Sequence, residues 1–324
     1  MGPIRNKSNN FRRDIAFIGL GTGTPSLIRD KCGGTHMPID VTLLAPKMRF
    51  VVVHYHIFKN AGTTVERVLE REFPGRFAQL HGPTADATLD GEDLAAFLKD
   101  HPGVQAVTSH HLRYPLPAMR HTVLFDCCFL RHPLDRLDSL YSYFRSIDST
   151  DPLCRSARRL EPAEFMRELI DWSPEQTMNV QVTQLASRGA FTRPANEEDL
   201  DRAVRAVKNM ALPGLVELFN ESMVAAEYYM RPAFPGIRLG MPPANVSRRI
   251  VVGTAERERR LIQLWGRDLH EQLTRLNELD IELCRQTGNE IRRRLSLIPA
   301  VEERVEEFAD RCRYAETAVK AAAV

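Results

Sequence analysis

The chain has 324 residues, 43% of them hydrophobic and 27% charged, and its 44 Lys and Arg nearly balance 42 Asp and Glu for a net charge of +2. This composition excludes a wholly disordered, collagen-like or low-complexity protein. It also excludes attachment to nucleic acid or a membrane surface through global charge, so any anion site must be local.

Residues 1–48 read as a poorly ordered N-terminal extension, dense in Gly, Pro and Thr and closing on Ala45-Pro46-Lys47. Within it, IAFIGLGTGTPS supplies Gly19, Gly21 and Gly23. A dinucleotide fingerprint needs a third glycine where Thr24 stands, and Pro25 follows at once, so the segment reads as a glycine turn. The six cysteines (Cys32, Cys127, Cys128, Cys154, Cys284 and Cys312) form no CxxC pair and no zinc-like spacing. No run approaches the ~18 apolar residues of a membrane span. These features predict a soluble, cytoplasmic protein with reduced thiols and no metal centre.

The ordered domain is expected over 49–295. FVVVHYHI (Phe50 to Ile57) has the β-branched, apolar character of a buried strand. The polar turn FKNAGTT follows, then a helix whose Val65, Val68, Leu69 and Phe73 share one face. DLAAFLKDHP predicts a helix ending near Pro102, and VQAVTSHH a strand. TVLFDCCFLR (Thr122 to Arg131) predicts another buried strand, running into a helix started by Pro133, with Leu137, Leu140, Tyr141 and Phe144 as its apolar face. Strands alternating with helices predict an α/β fold with a central parallel sheet flanked by helices. Residues 155–235 read as mostly helical, LGMPPANVSRR as irregular, and the chain from Thr254 as charged helix. Residues 296–324 are expected to be a peripheral helical tail.

Two turns carry candidate chemistry. In the first, Lys59 is a point cation at a strand's end, Gly62 permits close backbone approach, and Thr63 and Thr64 offer hydroxyl and N–H groups at a helix start. Such a turn binds phosphate or sulfate, although the P-loop order G-x-x-x-x-G-K-[ST] is absent. A capped surface turn is the alternative for this segment alone. The second turn again places a cation, Arg131, at a strand's end, with Arg136 and Ser139 on the following helix. Two anion-ready turns in one α/β unit suit a ligand with phosphates at two ends. A kinase acting on a nucleotide or small molecule, and a non-catalytic nucleotide-binding protein, remain as alternatives.

HIFKNAGTT (His56 to Thr64) resembles the 5′-phosphosulfate loop of the carbohydrate-type sulfotransferases, which use 3′-phosphoadenosine-5′-phosphosulfate (PAPS). LRHPLDRLDSLYSY (Leu130 to Tyr143) is similar to that family's 3′-phosphate motif. MNVQVTQLA resembles its Asn-x-Gln helix, PGLVELFNESMVAAEYYM its strand-then-helix segment, ANVSRR its late nucleotide loop and LNELDIELC its closing helix. The resemblance spans about Phe50 to Thr287. Phe58 and Asn60 depart from the family's usual Pro and Thr, and no membrane anchor is read ahead of the domain, which suits a bacterial, cytosolic member.

The resemblance implies a P-loop-NTPase-like sulfotransferase fold with a helical C-terminal part, and transfer of a sulfuryl group from PAPS to a hydroxyl, a carbohydrate one first, without a metal. It implies Lys59 at the bridging oxygen and 5′-phosphate. It implies that Asn60, Ala61, Gly62, Thr63 and Thr64 hold the phosphosulfate, that Arg131 and Ser139 hold the 3′-phosphate, and that Ser247 and Arg248 make later contacts. The transfer needs a base, and TSHHLRYP ends a strand between the two turns, offering His110 and His111. Aligning Tyr114 to the aromatic that follows the family's Gly-His favours His111. His54 and His56 read as packing residues of the first strand. Neither the acceptor nor the oligomeric state is written in the sequence.

Overall fold

The computed structural model describes residues 48–84, 86–186, 193–241 and 254–322. The expected extension, and Ser247 and Arg248 of the late nucleotide loop, lie outside the described residues.

Strand β1 (Arg49–Tyr55) is the central strand of the sheet and buried over its last five residues. Its alternation sorts the core onto two faces. Val51, Val53 and Tyr55 pack on one side, with helices α2 (Gly91–Asp100), α7 (Val180–Ala186), α8 (Glu197–Asn209) and α12 (Glu278–Leu295). Val52 packs on the other side, against α1 (Gly62–Glu72), α9 (Phe219–Met230) and α13 (Val301–Ala322). A third cluster joins α3 (Pro133–Ser146), α5 (Pro162–Trp172), α10 (Thr254–Trp265) and α11 (Arg267–Leu276). Short helices α4 (Pro152–Arg159) and α6 (Pro174–Thr177) complete this helical layer.

The remaining strands are β2 (Phe77–Gln79), β3 (Ala106–Ser109), β4 (Thr122–Leu130) and β5 (Leu212–Leu215). They order as β2-β3-β1-β4-β5, and every pairing is parallel. The expected α/β class and parallel sheet are therefore present. The chain winds from β1 toward β2 and then crosses over β1 to β4. Strand order thus reverses between β1 and β4, the switch point at whose C-terminal ends open parallel sheets place ligands.

The residues after 296 differ from expectation. Helix α13 inserts the fully buried Phe308 into the core, and Arg311 grips the buried Glu227 through both carboxylate oxygens at 3.0 and 2.9 Å. An apolar side chain hidden between charged neighbours makes this helix part of the domain rather than a peripheral tail. Among the described residues no helix is long and apolar enough to cross a membrane. The five described cysteines are free; burial pushes the Cys127 thiol up to about 12 and raises Cys128 and Cys284 as well.

Candidate functional site

The loop after β1 turns sharply. Lys59 and Ala61 both take left-handed backbone conformations, at φ 68° and 60°. Such turns aim successive N–H groups into a common concavity. Helix α1 begins immediately afterwards, and its first turn leaves the Gly62 and Thr63 N–H groups without intrahelical acceptors. Thr64 instead donates its N–H to Ala61 O at 3.0 Å and buries its side chain.

Asn60 does not face a ligand as expected. It is 1% exposed and points into the protein, donating to Phe129 O at 3.0 Å and to Gln181 Oε1 at 2.8 Å. The left-handed residues on either side rotate it inward. Its role is to fasten the Lys59 loop to β4 and α7. Gly62 is also needed for an unexpected reason. A Cβ there would collide with Cδ2 and Nε2 of His56, so this glycine makes room for an imidazole.

The second turn meets the first. Arg131 follows β4 directly, is 8% exposed, and donates from Nη1 to Lys59 O at 3.1 Å. Its Nε has no hydrogen-bond partner among the described residues. The Lys59 ammonium lies 4.3 Å from the Tyr143 ring centroid and 5.7 Å from that of Phe58. Burial, and then the Arg131 charge, hold Lys59 below its ordinary value; burial also lowers Arg131. Among the described residues, neither cation is ion-paired. The nearby Asp135 and Asp138 are taken by Arg257, at 2.5 Å, and Arg260, at 3.0 and 2.6 Å. Asp135, Glu217 and Asp138 still favour the Arg131 charge from a distance, but with no carboxylate in ion-pair contact the two like charges make a site that an anion would relieve. Ser139 sits half-buried on α3 beyond Arg131. Arg136 is fully buried and donates to Gln176 O, away from the two turns.

Gln181 ties both turns together. Its Oε1 accepts from Asn60 Nδ2 and from the Arg131 N–H, and its Nε2 donates to Arg131 O, all at 2.8 Å. Two helix starts cap each other to hold it. Asp280 accepts the Gln181 and Val182 N–H groups at 3.1 and 2.8 Å, while Asn179 Oδ1 accepts those of Leu279 and Asp280 at 3.1 and 3.0 Å.

The two histidines after β3 differ in hydrogen bonding. His110 Nδ1 lies 3.0 Å from His56 O, which can only accept, so Nδ1 carries the proton and Nε2 keeps a lone pair. His111 Nδ1 accepts the Gly82 N–H at 2.6 Å, so the proton of its neutral ring is on Nε2. Of these two rings, His110 is thus the one that keeps a basic nitrogen clear of a hydrogen bond, whereas the sequence favoured His111. Burial first, and then the neighbouring His56, push His110 down to about 4, which leaves it neutral at pH 7.

Beneath His110 lies a cluster that sequence reasoning missed. His54 and His56 alternate onto the face of β1 that meets α1. His56 Nδ1 bonds Glu66 Oε1 at 2.7 Å, Thr108 Oγ1 donates to the same oxygen at 3.1 Å, and His54 Nδ1 lies 3.0 Å from Thr108 Oγ1. The His56 and His110 rings lie against each other, centroids 3.8 Å apart and planes tilted by 31°. The available signal was Glu66 four residues after Gly62, on the helix face that Val65 and Leu69 turn toward the sheet.

The chain matches no family model. It is similar to an uncharacterized protein of Archaeoglobus fulgidus, 28% identical over 242 residues, which cover 72% of this chain and 94% of the relative.

Proposed function

We propose that this protein is a PAPS-dependent sulfotransferase acting on a hydroxyl acceptor, a carbohydrate being the first class to test. The observation that carries the reading is the joining of two cationic turns at the β1–β4 switch point. Lys59 and Arg131 lie side by side, half-buried and buried, without carboxylate partners among the described residues. A donor with phosphate at both its 5′ and 3′ positions requires two such turns at one site.

In this reading the acceptor oxygen attacks sulfur in line as its proton passes to His110 Nε2. The bond between sulfur and the bridging oxygen breaks, and its electron pair remains on the 5′-phosphate. Lys59, with the Gly62 and Thr63 N–H groups, stabilises the charge that grows there. Arg131 and Ser139 hold the 3′-phosphate. The half-buried aromatic side chains of Phe58 and Tyr143 keep water from Lys59 and strengthen its field. Positioning and electrostatics supply the catalysis, and the chemistry asks for no metal or covalent intermediate.

The test is a screen of hydroxyl acceptors with radiolabelled PAPS in the presence of a chelator. Labelled product from at least one acceptor is expected. Phosphoryl transfer from ATP with magnesium, and no transfer from PAPS, would favour a kinase and overturn the reading.

A further inference from the structure

Glu66, His56 and His110 carry donor atoms of metal-binding type within 4.8 Å of one another. Their geometry suits a different use. Each Nδ1 is already committed, His56 to Glu66 and His110 to His56 O. The two rings lie face against face, centroids 3.8 Å apart and tilted by 31°, so each imidazole is also the other's packing partner.

We propose that Glu66 is a positioning residue for His110: it fixes the His56 imidazole against the His110 ring, while the His56 carbonyl holds the tautomer that can accept a proton, and its charge favours the imidazolium formed when it does. The proposal rests on the sulfuryl-transfer reading for its consequence in turnover, but not for its geometry. Glu66 is fixed from two sides, by the Thr108 hydroxyl and by His56 Nδ1. It thereby sets the His56 ring against the His110 face. The His56 carbonyl takes the His110 Nδ1 proton, and Arg113 Nη1 holds the His110 carbonyl at 2.6 Å, so both the ring and the backbone of His110 are pinned.

The groups facing His110 are His56 from β1, Glu66 from α1 and His81 from the loop after β2, with Phe58 edge-on at 6.4 Å. Burial and the His56 ring oppose the protonated ring, as does His81; the Glu66 charge and the hydrogen bond to the His56 carbonyl favour it. Burial would raise the Glu66 carboxyl, but its bonds to His56 and Thr108 hold it below its ordinary value, so it stays anionic where the base works.

The experiment is NMR of ring-labelled histidine in the whole protein, with His110 assigned through His110→Asn. In wild type at pH 7, His110 is expected as the Nδ1–H tautomer. A dominant Nε2–H tautomer overturns the proposal without any variant, so a failure of Glu66→Gln to fold does not remove the test. In folded Glu66→Gln, the protonated fraction of His110 at pH 4.5 should fall about three- to tenfold, as expected for removing one nearby opposite charge. An unchanged fraction overturns the proposal. Where an acceptor is found, Glu66→Gln should lower kcat with little change in KM for PAPS and move the acid limb of kcat/KM to lower pH. The predicted NMR changes without any sulfuryl transfer by wild type uphold the coupling and overturn the sulfotransferase reading instead.

Discussion

Gln181 reads the backbone of Arg131 as a neighbouring strand would, accepting its N–H and donating to its C=O at 2.8 Å each. The same Oε1 accepts Asn60. One fully buried side chain thus sets the separation of the two cationic turns.

Gln181→Ala should therefore be costly away from any ligand. It leaves the buried Arg131 N–H unpaired, removes one acceptor from Asn60 and opens a void. The expected loss is about 2–4 kcal/mol in urea unfolding with an unchanged m-value. A loss under about 0.5 kcal/mol would contradict the role given to Gln181.

Gly62→Ala tests why a glycine stands in the first turn. The added methyl collides with His56, so about 1–3 kcal/mol of stability should be lost. In a His56→Ala background most of that cost should vanish, because the collision partner is gone. A cost that persists there would assign the glycine to backbone approach by a ligand or to helix propensity.

Much of this architecture was legible in the sequence. The β1 and β4 runs and the apolar faces of α1 and α3 follow from residue spacing, as does the parallel sheet. The placement of Lys59 and Arg131 at strand ends was legible too. The Asn-x-Gln pattern at Asn179 and Gln181 stood out by resemblance, but its role did not. That role depends on Asp280, about a hundred residues away, and sequence spacing carries no information about such a contact. The inward turn of Asn60 was hidden for a local reason: side-chain direction in a loop follows backbone conformation, and non-glycine residues at positive φ give no compositional sign. The choice between His110 and His111 hinged on which nitrogen meets a carbonyl and which meets an N–H.

His110 also sets a pH dependence of stability. Its folded value of about 4 lies below the ordinary 6.5, so between these two the unfolded chain binds a proton that the folded chain does not. This contribution makes stability fall as pH drops through that window, and the loss is complete below about 4. Thermal melts at pH 7 and 4.5 should show wild type losing more than His110→Asn. Equal losses would place the group outside the buried cluster.

Lys59→Ala separates charge stabilisation from binding. Because the leaving oxygen gains charge only as the reaction proceeds, turnover should fall by about 10²–10³-fold while 3′,5′-ADP affinity changes far less. Steady-state kinetics beside calorimetry checks it; parallel losses in both would make Lys59 a general phosphate ligand.

The pairing of the two turns is tested most directly by calorimetry of wild type with 3′,5′-ADP and with 5′-AMP. In the proposed reading both nucleotides would occupy the Lys59 turn, and only the first would engage Arg131 and Ser139. The extra phosphate should add about 1.5–3 kcal/mol for a charge-assisted contact, so 3′,5′-ADP should bind about ten- to a hundredfold more tightly. Equal affinity for the two nucleotides would contradict the account.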